Sequence, residues 1–184
     1  MADPEFVLLG DATWLDFINT VPAVPSALDS LPDAAAYHRW TKALKLAPDP
    51  ASTSFDSVRR LRTRLHQLAR LLDGDRAPSS AITQTINEIL TRVEGRQQLV
   101  RVGGTWRLRF HPLRPASALE AVAVSASETL ATPIAQVRRC SAPDCGLYFT
   151  DLTPQQGRRW CSFKRCGHRG RVERRRASRV TPLV

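Results

Sequence analysis

CSAPDCGLYFTDLTPQQGRRWCSFKRC, residues 140–166, holds all four cysteines of the chain. They fall as two pairs, Cys140 with Cys145 and Cys161 with Cys166, each with four residues between the partners. Tetrahedral zinc takes two thiolates from each of two tight turns at about 2.3 Å per sulfur, and so closes a segment too short to bury its own core. Two disulfides, or four unrelated thiols, are the competing readings. Cysteines confined to one short basic segment favour a metal site in a reducing compartment. Redox or nucleophilic cysteine chemistry lacks support, because the chain has no C-x-x-C and no evident Cys/His partner set.

Helix geometry constrains the second pair. Five residues of α-helix turn through about 500°, which leaves Cys161 and Cys166 roughly 140° apart. The chain has to bend there if both are to reach one ion. Pro143 and Asp144 favour a turn inside the first pair, and Gly146 follows it. Residues 147–149 and 158–160 read as two short strands joined by a loop containing Pro154 and Gly157, with their aromatic side chains over the metal.

A chain of 184 residues with 42% hydrophobic content buries one fair-sized core plus a small appended module. Its formal net charge of +10 is unevenly placed. From Arg138 onward there are twelve basic and three acidic residues, a net +9; the chain from Met1 to Val137 holds fifteen and fourteen, a net +1. That asymmetry points to a polyanion partner for the tail and none for the body. Along GHRGRVERRRASR, residues 167–179, Arg169, Arg171, Arg174, Arg175, Arg176 and Arg179 take up all sides of a helix, and only Val172 can pack. This suits a phosphate-binding helix in a DNA groove, the alternative being a solvated tail. Arg158, Arg159, Lys164 and Arg165 extend the positive surface onto the zinc knuckle.

The body reads as mainly helical. DATWLDFINT, residues 11–20, gathers Trp14, Leu15, Phe17 and Ile18 into an opening helix or turn. Asp16 and Asn19 are then polar groups beside a core, where they bridge backbone or, alternatively, line a small-ligand pocket. Residues 33–46 offer Tyr37, Trp40 and Leu44 as one apolar side. The strongest helical pattern covers 57–73, where Val58, Leu61, Leu65, Leu68 and Leu72 recur at threes and fours, with Ser54 or Asp56 as cap and Gly74 as terminator. Arg59, Arg60, Arg62, Arg64 and Arg70 are assigned to its solvated surface. A further helix is expected over 80–94 on Ile82, Ile86, Ile89 and Val93. Residues 99–102 and 105–110 flank Gly103-Gly104 as a β-hairpin. A last helix starts near Pro115 with Ser117 and Glu120 as a capping box, and 131–134 is the expected hinge before the tail. His38, His66 and His111 have no second ligand at a helical interval and are read as structural or exposed. No run reaches the ~18 apolar residues of a membrane span. Residues 1–6 give no signal-peptide pattern, resemble a cloning remnant and are set aside, so a cytoplasmic location is expected. The fold class is therefore α+β: a mainly helical N-terminal body with one β-hairpin, plus a small C-terminal treble-clef-like zinc knuckle ending in a basic helix.

RRCSAPDCGLYF and RRWCSFKRCGHR, residues 138–149 and 158–169, resemble the CGNR zinc finger, with Cys166-Gly167-His168-Arg169 at the Cys-Gly-Asn-Arg string. LDFINT, residues 15–20, resembles the opening of the ABATE domain that usually precedes this finger. The resemblance divides the chain into a body at 7–133 and a finger at 137–180. It implies a bacterial, stress-linked transcription regulator that binds DNA through a finger built on one structural zinc ion, with Cys140, Cys145, Cys161 and Cys166 as ligands and Arg169 as the motif arginine. His168 departs from the motif asparagine; an imidazole can bond backbone with one nitrogen but is larger and titrates. The expectation is a zinc-dependent, sequence-specific regulator at the bacterial nucleoid. Its finger contacts double-stranded DNA, and its body senses a small-molecule effector or forms a homodimer. RNA binding and a module for an acidic protein partner are the alternatives that charge leaves open. No enzyme is expected, because no carboxylate pair, triad or phosphate-cradling loop stands out and a closed thiolate site leaves zinc no open position.

Overall fold

The computed structural model describes residues 6–9, 11–21 and 28–167. Its helices are α1 (Thr13–Ile18), α2 (Ala34–Ala43), α3 (Phe55–Asp73), α4 (Ser80–Leu90) and α5 (Ala118–Ala131). Between α4 and α5 comes an antiparallel hairpin, β1 (Gly95–Val102) with β2 (Thr105–Pro112), and after α5 a second, β3 (Gln136–Arg139) with β4 (Tyr148–Asp151). The α+β class holds, and no helix among the described residues is long and apolar enough to cross a membrane.

The long helix α3 organises the body. The Ser54 hydroxyl accepts the Ser57 N–H at 3.3 Å and supplies the N-cap. Its inner face buries Val58, Leu61, Leu65, Leu68 and Ala69. Arg62 shares that face rather than the solvated surface expected of it, because it lies four residues after Val58, one turn along the same stripe. Its guanidinium donates to both oxygens of Asp29, at 2.8 and 2.6 Å, and to the Thr20 hydroxyl at 3.1 Å. One buried arginine thus fixes the chain that follows α1.

Against α3 and α5 packs the short helix α1, where Trp14, Leu15, Phe17 and Ile18 are almost wholly removed from water. The Trp14 indole N–H reaches the Thr129 hydroxyl of α5 at 3.0 Å, giving a large apolar ring the partner its one polar atom requires. Phe17 meets the Trp40 ring of α2 at a centroid distance of 5.2 Å. Phe6 also lies buried in this core, so the segment set aside as a remnant contributes at least one packed side chain.

Helix α4 stops at Leu90, short of the expected 94. Tight bonds from Arg92 N–H to Ile89 O and from Val93 N–H to Leu90 O close its last turn, and the chain then extends into β1. Gly95 opens that strand. The Phe110 ring of β2 occupies the space a Gly95 Cβ would need, at 2.1 Å, so only glycine fits there. At the hairpin tip Gly103 and Gly104 adopt φ of 56° and 83°, the pair of positive angles that a type I′ turn demands. The capping box on α5 is formed, and Glu120 also receives both ends of the Arg114 guanidinium, at 2.7 and 2.8 Å.

Residues 131–134, where a hinge is expected, link α5 to β3. Ala135 N–H bonds back to Thr132 O, and β3 begins at once, lying along α3. Val137 and Tyr148 from the second hairpin join the same hydrophobic core as the helices, so the C-terminal module is docked on the body.

Candidate metal centre

The sequence around each cysteine pair makes a tight turn with its own backbone bonds. In the first, Cys145 N–H bonds Ala142 O at 3.0 Å and Cys140 N–H bonds Leu147 O at 2.9 Å, folding the knuckle between β3 and β4. In the second, the bend required by the five-residue interval is a π-helical turn over Phe163–Gly167. The Ser162 carbonyl accepts from both Cys166 N–H, at 2.9 Å, and Gly167 N–H, at 3.2 Å. The wider i→i+5 turn brings the fifth residue back over the first. Gly167 suits this position because the Phe163 ring passes 2.6 Å from where a Cβ would stand and would have to shift to admit one.

These turns converge four sulfurs. The Sγ atoms of Cys140, Cys145, Cys161 and Cys166 all lie within 4.8 Å of one another, with Cys145–Cys161 at 3.8 Å and Cys161–Cys166 at 3.7 Å. Four sulfurs at about 2.3 Å from a tetrahedral ion stand about 3.8 Å apart, whereas a disulfide needs about 2.05 Å. The cysteines are free thiols in this arrangement, three of them buried. The Cys161 N–H points at Cys140 Sγ at 3.5 Å, a donor of the kind that supports a thiolate ligand.

Electrostatics give the same answer. Cys145 is pulled down to about 5, first by the hydrogen bond it accepts from the Cys161 thiol. Cys161 is pushed up, first by that same bond and then by burial, and Cys166 is pushed up chiefly by burial. Thiolates this close repel one another, and a divalent cation at their centre offsets that repulsion.

Residues 11–133 match ABATE, described as "Putative stress-induced transcription regulator", and residues 136–179 match the CGNR zinc finger. The chain belongs to the ABATE family. No curated protein matches it. In this ABATE chain the four cysteines of the CGNR finger are positioned to hold one metal ion, consistent with one structural zinc.

Other residues singled out by sequence fall into different places. Residues 158–160 do not form a strand; β4 pairs instead with β3, because Val137 and Tyr148 are the side chains that reach the core. Asp151, wholly buried, shapes the return to Cys161 by accepting from Thr153 N–H at 2.9 Å, the Thr153 hydroxyl at 2.7 Å and Arg158 N–H at 2.8 Å. Burial pushes its carboxyl up, but the Thr153 and Arg158 bonds outweigh that and leave it below the usual range. Arg158, expected on the nucleic-acid surface, is engaged within the protein. Its guanidinium stacks 4.5 Å above the Phe149 ring, donates to the Trp160, Cys161 and Thr150 carbonyls, and pairs with Asp11 of the body.

Arg159, Lys164 and Arg165 are exposed on the finger. Arg169, Arg171, Arg174, Arg175, Arg176, Arg179 and His168 lie outside the described residues, as does the expected basic helix. Asp16 is buried on α1, and Asn19 follows the same helix. Of the two roles expected for Asn19, its amide takes the bridging of backbone. It donates to Tyr148 O and accepts from Tyr148 N–H, both at 2.8 Å, across 129 residues. Sequence reasoning had no signal for that distant partner, nor for Asp73, whose carboxylate accepts Arg139 N–H at 2.8 Å.

Proposed function

We infer that this zinc-binding ABATE regulator binds double-stranded DNA through its C-terminal module. The observation that carries the reading is the placement of charge: a net +9 of the formal +10 lies from Arg138 onward, on the module that the four sulfurs close. A bound zinc supplies a fixed cross-link and no open coordination position, so the site is structural. The chain's own residues do the rest. The π turn sets the position of Cys166 and Gly167, and the arginine-rich residues follow them in sequence. Arg159 and Lys164 add positive charge beside that turn.

Docking of the finger supports a regulatory role for the body. Asn19 and Asp73 hold finger backbone on both sides of the knuckle, so a change in α1 or α3 reaches the module directly. In this reading the body senses a small effector or pairs two copies. A cavity of about 140 Å³ lined by Tyr37, His38, Asp49, Phe55 and Val58, among others, is a candidate space for such an effector. Neither family description names an enzymatic reaction.

The test is duplex binding by the zinc-loaded chain over a salt series. Each phosphate contact adds about 0.9 to the magnitude of the log-log salt slope. Replacing Arg174, Arg175 and Arg176 by Ala should lower that slope by about 2 to 3. Salt-independent binding, or an undiminished slope in the variant, would sink the reading. A preference for structured RNA over duplex at equal salt would redirect it.

A further inference from the structure

The body looks neutral when Met1 to Val137 is summed, yet its charge is not spread evenly. The hairpin Gly95–Pro112 contains Arg96, Arg101, Arg107 and Arg109 and no acidic residue. Outside it, the same stretch carries eleven basic and fourteen acidic side chains. A net +4 on one short ribbon is thus hidden by a net −3 on the helices and their connections. The strand register resolves it further. Arg96 stands opposite His111, Gln98 opposite Arg109 and Val100 opposite Arg107, so Arg96, Arg107 and Arg109 share one face. All three are exposed, and none pairs with a carboxylate among the described residues.

The ribbon is built to project. Apart from Val100, which is half-buried, its residues are exposed, yet its base is held firmly. Leu113 N–H bonds Glu94 O at 3.0 Å, and Arg114 joins Glu120 of α5 to the Arg92 carbonyl. Its other face supports itself across the strands: Leu99 lies opposite Leu108, Arg101 stacks 5.9 Å over Trp106, and Phe110 covers Gly95. A two-stranded ribbon is a shape the major groove admits, and three arginines along one side meet phosphate at a spacing of about 6.8 Å per pair of residues.

We propose that the arginine face of the β1–β2 hairpin is a second duplex-DNA contact, formed by Arg96, Arg107 and Arg109 and separate from the zinc module. It rests on the DNA-binding reading above and corrects the division of charge into a basic tail and an inert body. Charge complementarity selects the occupant: three guanidiniums with no carboxylate partner among the described residues, on an element without a single carboxylate, match a polyanion.

The experiment uses the full zinc-loaded chain and a mixed-sequence DNA duplex, with binding followed by anisotropy as salt rises from about 50 to 300 mM. Arg96→Gln, Arg107→Gln and Arg109→Gln are combined in one variant. A matched variant carries Arg59→Gln, Arg60→Gln and Arg64→Gln on the exposed side of α3, which removes the same charge from another surface. The hairpin variant should lose about 2 to 3 from the salt slope and bind at least tenfold more weakly near 100 mM, while the α3 variant keeps most of the wild-type slope. Zinc content and thermal unfolding, equal in the two variants, separate this from misfolding. Equal slopes in both variants, with wild-type binding intact and still weakened by the tail substitutions, overturn the hairpin contact and leave the finger reading standing. An unchanged slope with loss of self-association or of an acidic protein partner assigns the face to protein and also overturns it. No duplex binding by the wild-type chain removes the DNA reading itself.

Discussion

Asn19 and Tyr148 hold each other through a two-bond clamp, amide to backbone N–H and C=O, at 2.8 Å in each direction. Asn19 ends the first helix of the body, and Tyr148 begins the strand that leaves the zinc knuckle. The clamp imitates a β-ladder contact on the edge of β4 that β3 leaves open. Replacing Asn19 by Ala leaves both Tyr148 backbone groups without their partner in a part-buried place, at a cost of about 2 kcal/mol. Chemical denaturation should show that loss. A shift below about 0.5 kcal/mol would mean that water replaces the clamp.

Gly167 and Phe163 give a second prediction, which concerns zinc retention. Gly167→Ala puts a methyl group 2.6 Å from the Phe163 ring, and that ring is half exposed and able to swing aside. The expected penalty is about 1 to 2 kcal/mol, read as weaker zinc affinity in a chelator competition. Phe163→Ala in the same chain should recover part of it. Strictly additive losses in the double-mutant cycle would show that the contact does not set the turn.

Arg158 is the basic residue whose role moved furthest between sequence and structure. Its substitution by Gln should lower stability by about 2 kcal/mol, since it removes several charge-assisted bonds to finger backbone and the stack on Phe149. The DNA salt slope should stay within error of wild type. Lys should not rescue stability, because a single ammonium cannot reproduce the planar fork. A reduced slope with unchanged stability would place Arg158 on the nucleic acid instead.

His66 sits edge-on to Tyr148 at 5.6 Å, between body and finger. Burial lowers its pKa, and Arg70, Arg139 and Arg62 add to the effect. The neutral imidazole is therefore the form the fold prefers. The unfolded chain binds the proton more readily, so this contribution is fully present above about pH 6.5 and is lost as the pH falls through and below that value. His66→Phe should flatten stability between about pH 7 and 5. A variant with the wild-type pH profile would show that other groups govern it.

Local patterns made much of the fold legible. The threes and fours of Val58, Leu61, Leu65 and Leu68, the Ser117/Glu120 capping box and the Gly103-Gly104 turn each depend on neighbours in sequence, and each is found in place. Cys140, Cys145, Cys161 and Cys166 converge as their spacing suggests, and the π turn supplies the bend that helix arithmetic called for. What escaped depends on partners far along the chain. Nothing beside Asn19 announces Tyr148, nothing beside Arg62 announces Asp29, and the strand expected at 158–160 stands in for the true partner at 136–139. Net charge misled for a similar reason: a sum over the whole body cancels a positive ribbon against acidic helices, and only the register shows which arginines share a face.

Elemental analysis of the chain purified without chelator, combined with a thiol count, tests the account most directly. One zinc per chain is the predicted result, with four cysteines unreactive until the metal is stripped and the C-terminal module losing its structure when it is. Zinc well below one per chain, or two disulfides in its place, would contradict the metal centre on which the rest depends.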